Sequence, residues 1–395
     1  MRNRKSFHTT KPAIRIVFAS LTVFLVLAGF LALSPGNTQP DQTGNTVAET
    51  SDHFDGSVYF NPDFSAPANG SVTRKSRTWW WISRILFGSG YPEWPKQENS
   101  VTGTIPVERV PEGSLRITPV GHATFLIQMD GMNILTDPIW AERCSPVSWI
   151  GPKRHKSPGI SFQDLPPIDL VLVSHNHYDH LDLSTLEDLA ARKTPFALTT
   201  PGNKELIAET GIPDVQELDW WQSKVISEKV KVTVVPARHF SSRTLWDRNK
   251  TLWGGFVISG PSGNVYFAGD TGYGQHFREI ATRFPRIRVA ILPIAPFQPK
   301  STRQPPSIGH HMGPAEAVVA HKDLNPEVSI AGHYQVFQLG LDGFDDAVRT
   351  LAETLKEHSL PSDSFITLEP GRSLILGRHA SRTYVFNTVD VDEHH

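Results

Sequence analysis

The chain has 395 residues and carries 38 Lys plus Arg against 40 Asp plus Glu, a formal net charge of -2. With 20 % charged, 39 % hydrophobic and 10 % aromatic residues it has apolar material for a core, which excludes wholesale disorder, a collagen-like chain and a coiled coil. A single cysteine, Cys144, excludes an internal disulfide, so stability must come from packing or from metal, and the 17 histidines are the unusual part of the composition.

The charge is unevenly spread. No acidic residue precedes Asp41, whereas Arg2, Arg4, Lys5, Lys11 and Arg15 lie within the first 15 positions. Without those, 33 basic residues face 40 acidic ones and the rest of the chain carries -7. Ile16 to Leu33 is an uncharged run of 18 residues. As a helix it would span roughly 27 Å, close to a bilayer core. A basic flank followed by an apolar run reads, over residues 1–33, as a signal peptide or transmembrane anchor, with the uncleaved anchor favoured. It places the rest of the chain on the non-cytoplasmic side of a membrane, in the periplasm if the cell is bacterial. Residues 34–57, rich in Gly, Pro, Thr, Asn and Asp, read as a flexible linker. Residues 58–114 read as an aromatic-rich extension packing on the core. Within it Trp79, Trp80, Trp81, Ile82, Ile85, Leu86 and Phe87 are interleaved with Arg74, Lys75, Arg77 and Arg84, a stretch that either packs inward or lies on lipid as an interfacial helix.

From Leu115 onward strands alternate with helices. Strands are expected at Leu115 to Val120, Thr124 to Met129 and Asn133 to Thr136, with Asp130-Gly131 as the turn of a hairpin. Leu170 to Ser174 is wholly apolar up to its serine, the pattern of a strand buried on both faces. Further strands fit Lys231 to Val235, Gly255 to Ser259, Val265 to Ala268, Arg288 to Pro293 and Phe365 to Leu368. Helices fit Leu183 to Arg192, Asn203 to Thr210, Gln275 to Arg283, Pro314 to His321 and Phe344 to Glu357. This alternation predicts a layered α/β domain over residues 115–395.

Directly after the buried strand comes His175, Asn176, His177, Tyr178, Asp179, His180: three histidines and one aspartate within 6 residues. In an extended segment side chains at spacing two share a side, so His175, His177 and Asp179 can converge, while His180 breaks the period and can turn toward a second spot. Imidazoles with a carboxylate suit zinc or a similar divalent ion.

This HxHxDH run resembles the metallo-β-lactamase-fold hydrolases. Gly121-His122-Ala123-Thr124, Leu135-Thr136-Asp137-Pro138, Gly151-Pro152-Lys153-Arg154, Leu165-Pro166-Pro167-Ile168-Asp169, Glu217-Leu218-Asp219-Trp220-Trp221, Arg243-Thr244-Leu245-Trp246-Asp247 and Phe267-Ala268-Gly269-Asp270-Thr271-Gly272-Tyr273 narrow the resemblance. Together they are similar to the N-acylphosphatidylethanolamine-hydrolysing phospholipase D family, from about Leu115 to about Glu369. Before Leu115 the likeness is confined to Tyr59-Phe60-Asn61-Pro62. The resemblance implies a four-layer αββα sandwich and two zinc ions. It implies that His175, His177 and His239 hold one ion, that Asp179, His180 and His333 hold the other, and that Asp270 bridges them. Read on their own, His239, Asp270 and His333 each follow a strand or a short apolar run, so they would emerge at one edge of a sheet. His311 matches a family histidine near the substrate phosphate and is assigned phosphate contact or proton donation; the alternative is that it only caps the helix that starts at Pro314. His122 and Asp137 read either as groups that orient ligands or as ordinary strand-end hydrogen-bonding partners.

Two divalent ions would supply a nucleophile from water at neutral pH and hold both the attacking and the leaving oxygen of an in-line displacement. The expected activity is therefore phosphodiester hydrolysis by a phospholipase D type enzyme. An N-acylphosphatidylethanolamine-like lipid would give phosphatidic acid and an N-acylethanolamine. The alternatives are a lactonase, β-lactamase or non-lipid phosphodiesterase on the same fold, and, in a different class, a redox di-iron or non-catalytic metal-binding protein. The -7 charge after residue 33 disfavours a nucleic-acid partner. Redox relatives of the fold carry a carboxylate where His177 stands, which favours hydrolysis. The expected partner is membrane phospholipid, with a second membrane contact through the N-terminal segment. Oligomeric state has no signal in the sequence.

Overall fold

The computed structural model describes residues 51–62, 92–96, 105–297, 309–377 and 383–385. The expected anchor at Ile16 to Leu33 and the basic tryptophan stretch at Trp79 to Phe87 lie outside the described residues. Among the described residues no helix is long and apolar enough to cross a membrane.

Among the same residues fifteen strands and five α-helices follow in chain order. The strands are β1 Leu115–Gly121, β2 Thr124–Met129, β3 Met132–Thr136, β4 Leu170–Val173, β5 Phe196–Thr199, β6 Val215–Glu217, β7 Ser223–Val225, β8 Lys231–Val235, β9 Gly255–Gly260, β10 Gly263–Phe267, β11 Ile287–Pro293, β12 Val328–Gly332, β13 Phe365–Ile366, β14 Ser373–Leu376 and β15 Thr383–Val385. The helices are α1 Leu183–Arg192, α2 Lys204–Ala208, α3 His276–Arg283, α4 Pro314–Leu324 and α5 Asp346–Glu357. They build an eight-stranded sheet ordered β15-β14-β1-β2-β3-β4-β5-β6 and a seven-stranded sheet ordered β13-β12-β11-β10-β9-β8-β7.

The period-two alternation of side chains explains why these strands read as continuous apolar runs. Ile117, Phe125, Ile127, Ile134, Leu170 and Leu172 point to one face and meet Val234, Phe256, Ile258, Phe267, Ile291 and Ile330 of the other sheet in the central core. Their neighbours Leu126, Leu135, Val171 and Val173 point to the opposite face and pack against Leu186 and Leu189 of α1 and Ile207 of α2. On the far face of the second sheet, Val257, Tyr266, Ala290 and Leu292 pack against Phe277 and Ile280 of α3, Val318 and Leu324 of α4, and Leu351 and Leu355 of α5. The layers therefore run helix, sheet, sheet, helix, as the resemblance implied.

Pairing sense decides where the site falls. β1 is antiparallel to β2, β2 is antiparallel to β3, and β3 is parallel to β4, so β1, β3 and β4 point the same way. By the same reasoning β8, β10, β11 and β12 are co-directional. The segments leaving β1, β3, β4, β8, β10 and β12 carry all the candidate site residues except His311.

Every strand and helix expected from the sequence is present, with ends shifted by a few residues. β4 stops at Val173 because the Ser174 N–H leaves the ladder and donates to Asp137 Oδ1 at 2.7 Å. The strands without a clear signal are short, like β6, or exposed at an edge, like β7. Within residues 51–57, expected as the end of the linker, His53 packs on the domain while Asp52 and residues 55–57 are exposed. His53 is buried between Asp52 and Asp219 at 2.8 and 2.9 Å and stacks on Trp220, with ring centroids 3.9 Å apart. Burial works against protonation of His53, but its hydrogen bonds to Asp219 and Asp52 outweigh it and raise its pKa.

Candidate metal centre

The segment after β4 supplies His175, His177, Asp179 and His180, and four other strand ends bring the remaining groups to it. Their ligand atoms fall into two clusters. His175, His177, His239 and Asp270 form one, and His122, Asp179, His180 and His333 form the other; within each, all four atoms lie within 4.8 Å of one another. His122, expected to orient a ligand, thus stands within ligand reach of the second cluster.

In the first cluster His175 Nε2 lies 2.8 Å and His239 Nε2 3.2 Å from His177 Nδ1. The outer nitrogens of two of these rings are committed elsewhere. His239 Nδ1 donates to the His310 carbonyl at 2.8 Å, and His175 Nδ1 lies 2.9 Å from Ser174 Oγ, which itself donates to Asp137 Oδ2 at 2.7 Å. With each Nδ1 proton directed outward, the Nε2 lone pairs face inward, the tautomer that a ligating imidazole needs. Burial holds His175 and His239 well below the usual histidine range and brings His177 down to about 4, so three neutral nitrogens converge there at neutral pH.

In the second cluster His180 Nδ1 donates to Asp137 Oδ2 at 2.7 Å, and its Nε2 faces Asp179 Oδ2 at 3.3 Å and His333 Nε2 at 3.2 Å. His122 Nε2 lies 2.9 Å from the same Asp179 oxygen. Asp270 sits between the clusters. Its Oδ1 is 3.1 Å from His333 Nε2, and its Oδ2 is 3.3 Å from His180 Nε2 and 3.7 Å from His239 Nε2. Burial opposes the charge on Asp179 and Asp270, yet the adjacent histidines hold both carboxyls well below the ordinary range. Burial likewise opposes charge on His333, but Asp270 and Asp179 raise it to about 9.

The donor set fits divalent metal. Imidazole and carboxylate groups from both clusters converge in a buried space, and the close nitrogen-to-nitrogen contacts cannot all be hydrogen bonds because a neutral imidazole has one N–H. Asp270 Oδ1, 3.1 Å from His333 Nε2, makes no hydrogen bond of good geometry among the described residues. A shared cation satisfies both facts. Borderline nitrogen with oxygen ligands is the chemistry of zinc and its neighbours.

Three positions of the site have strained backbone. His122, Asp137 and His333 have φ of 58°, 36° and 62°, the left-handed region that non-glycine residues avoid unless the surroundings enforce it. The enforcement is visible for two of them, since the His333 N–H donates to the His122 carbonyl at 2.9 Å. Gly269, at φ 59°, could not carry a side chain: a Cβ there would lie 2.9 Å from Ser174 Cβ, so the turn into Asp270 needs glycine.

His311 lies at the rim, with Nδ1 3.6 Å from Asp270 Oδ2 and its side chain 20 % exposed. Burial pushes its pKa down. Ser174, the His310 carbonyl and Asn61 were not among the expected site residues. Ser174 has a sequence signal, its place directly before the HxHxDH run; a backbone carbonyl has none. Asn61 grips the His239 peptide from both sides, donating from Nδ2 to the carbonyl at 2.8 Å and accepting the N–H at Oδ1 at 3.2 Å. Asn61→Ala is expected to weaken metal binding about tenfold, the usual scale for a group that orients a ligand. Titration of the full chain against a chelator checks this; unchanged affinity would leave Asn61 with a purely structural role.

With this geometry established, the class is clear. Residues 132–334 match the model of the β-lactamase superfamily domain. The chain is 21 % identical to a metallo hydrolase from Ignicoccus hospitalis, a likeness of fold with a TM-score of 0.51 that covers 67 % of this chain and 98 % of that one. The protein has the metallo-β-lactamase fold and belongs to that superfamily. Within it the relatives narrow the placing. An uncharacterised protein of Mycobacterium tuberculosis is 39 % identical over 251 residues, 62 % of this chain and 65 % of its own length. The N-acyl-phosphatidylethanolamine-hydrolyzing phospholipase D 1 of Caenorhabditis elegans is 30 % identical over 307 residues, 73 % of this chain and 85 % of its own. The chain belongs to the N-acylphosphatidylethanolamine-hydrolysing phospholipase D family.

Proposed function

We propose that the protein is a binuclear zinc phosphodiesterase of the phospholipase D type, releasing phosphatidic acid and an N-acylethanolamine from N-acylphosphatidylethanolamine-like lipids. The observation that carries the reading is the carboxylate of Asp270 lying between two clusters of ring nitrogens, with His311 3.6 Å away at the open rim. His175, His177 and His239 would hold one ion, Asp179, His180 and His333 the other, and Asp270 both. Ser174 and Asp137 orient His175 and His180, and the His310 carbonyl and Asn61 orient His239. His311 reaches Asp270 from the rim with part of its ring exposed, so it is placed to meet the substrate phosphate; because burial lowers its pKa, donating a proton to the departing oxygen would require the phosphate's negative charge to raise it again. The family relationship to a named phospholipase D and the run of matching motifs support the lipid substrate. The sequence of residues 1–33 supports a membrane-anchored or exported enzyme whose catalytic domain lies on the non-cytoplasmic side.

The test measures metal content and lipid turnover on one sample of the full chain in detergent. About two zinc ions per chain and formation of phosphatidic acid are expected, both lost in His177→Ala. Two irons would overturn the metal assignment. Turnover of lactones or of bis-p-nitrophenyl phosphate alone, with no lipid cleaved, would overturn the substrate.

A further inference from the structure

Among the described residues seven large apolar side chains are exposed: Phe60, Ile105, Val107, Trp149, Val225, Leu245 and Trp246. Four of these rise from segments tied to the metal clusters. Leu245 and Trp246, 64 % and 63 % exposed, belong to the loop that follows His239. Trp149, 62 % exposed, belongs to the loop that Arg154 bridges to Phe337, four residues after His333. Phe60 precedes Asn61, which grips His239. Single exposed apolar residues need no explanation; a set gathered around one site does.

The loop holding Leu245 and Trp246 is braced. The Asp247 carboxylate accepts the N–H groups of Arg243 and Thr244 at 3.0 and 2.8 Å, Thr244 Oγ1 accepts the Trp246 N–H at 3.2 Å, and the Ser241 carbonyl accepts the Asn249 N–H at 2.8 Å. Arg243 fastens the base by donating to the carbonyls of Asn176 and Leu181 at 3.0 and 2.8 Å and lies 4.0 Å over the Tyr178 ring. Asn176 and Tyr178 are interleaved with the ligand candidates His175, His177 and Asp179. A frame this closed would let Leu245 and Trp246 fold inward if burial were their purpose; it holds them out instead. The same loop exposes Arg248 and Lys250, whereas Lys153, exposed in the segment that follows Trp149, is paired with Glu142 at 2.8 Å. Tryptophan and leucine tips flanked by cations suit the boundary between headgroups and acyl chains of an anionic bilayer.

We infer that the Leu245-Trp246 turn, with Trp149 and Phe60, inserts into the surface of a phospholipid bilayer carrying anionic lipid and brings the metal centre to its substrate there. The inference rests on the phospholipid reading of the site and adds to it a docking surface separate from the N-terminal segment. Within the Arg243 to Asp247 motif, Arg243 and Asp247 then build the turn, and Leu245 and Trp246 are what it presents.

The sole native cysteine, Cys144, is buried, so a cysteine introduced on the surface of the full chain can be labelled selectively with a polarity-sensitive fluorophore. Leu245→Cys places the probe at the tip and Glu353→Cys places it on the exposed side of α5. On adding vesicles of phosphatidylcholine and phosphatidylglycerol, the probe at 245 is expected to shift to the blue and brighten, and the probe at 353 to stay unchanged even if the N-terminal segment tethers the protein. Trp246→Ser is expected to weaken vesicle binding about tenfold, the order expected for losing one buried large apolar side chain. A silent probe at 245 on vesicle-bound protein, an equal response at 353, or a response at 245 that grows with protein concentration without lipid would overturn the inference, the last by showing a second copy on this face. Insertion without turnover of any phospholipid sinks the proposed reaction and leaves the docking surface standing; lipid turnover with a silent probe does the reverse.

Discussion

Asp270→Asn is expected to lower kcat/KM by roughly a thousandfold or more, the scale of losing a charge that stabilises the reacting centre, while the chain still folds. The carboxylate is the group that meets both clusters: Oδ1 lies 3.1 Å from His333 Nε2, and Oδ2 lies 3.3 Å from His180 Nε2 and 3.7 Å from His239 Nε2. Asparagine keeps its shape and volume, so packing against the turn at Gly269 is preserved. What it removes is the negative charge, and what it adds is an NH2 group that points at nitrogens or at a cation. Metal content should fall along with turnover, and a cooperative thermal transition should persist. Measured on the same sample, unchanged metal content with full activity would show that the two clusters do not act through Asp270. His177→Ala provides the contrast: its Nδ1 meets His175 and His239 of the first cluster, so metal loss should begin on that side.

The parts of the fold that were legible are those whose burial is two-sided or strictly periodic. Leu170 to Val173 is apolar at every position because both faces are covered, one by the facing sheet and one by α1. Leu183 to Arg192 was legible because Leu186 and Leu189 recur on one face with a basic residue in the last turn. β7 was not, since Ser223, Lys224 and Val225 are all exposed and its pairing with β8 alone defines it. The same split holds at the site. The HxHxDH run announces itself because four ligand-type side chains lie in one short segment. His239, Asp270 and His333 become a site only when strand directions bring distant positions to one edge, which single-residue patterns do not encode; the resemblance supplied that link. Asn61 and the His310 carbonyl act through hydrogen bonds across 178 and 71 positions of sequence, the range at which local pattern carries no information. His122 was expected among the orienting groups, and only its distance to Asp179 shows how near the ligands it stands.

Asp137 carries the second large expected effect, and two substitutions separate what it does for the fold from what it does for the metal. Its carboxylate is buried and accepts three donors, the Ser174 N–H and Oγ and His180 Nδ1, each at 2.7 Å. Burial pushes its pKa up, while His180 and Ser174 pull it down. Asp137→Ala strands all three donors without water. A cost of about 3–5 kcal/mol follows, the range for removing one partner of a buried, hydrogen-bonded pair. Denaturant unfolding of the chelator-treated protein measures it. Asp137→Asn fills the same space but offers a single acceptor oxygen to three donors, so its NH2 must face either Ser174 or His180. If it faces His180, the ring gives up its Nδ1 proton and carries one on Nε2 instead, where it points at Asp179, Asp270 and His333 and blocks the lone pair a cation would use. Metal affinity is then expected to fall by roughly 10- to 100-fold, the usual scale for such orienting groups, with a smaller loss of stability than in the alanine variant. Chelator competition on both proteins decides the matter: equal metal affinity in Asp137→Asn and the parent would mean that Asp137 braces the β3 and β4 ends and does not set the tautomer of His180.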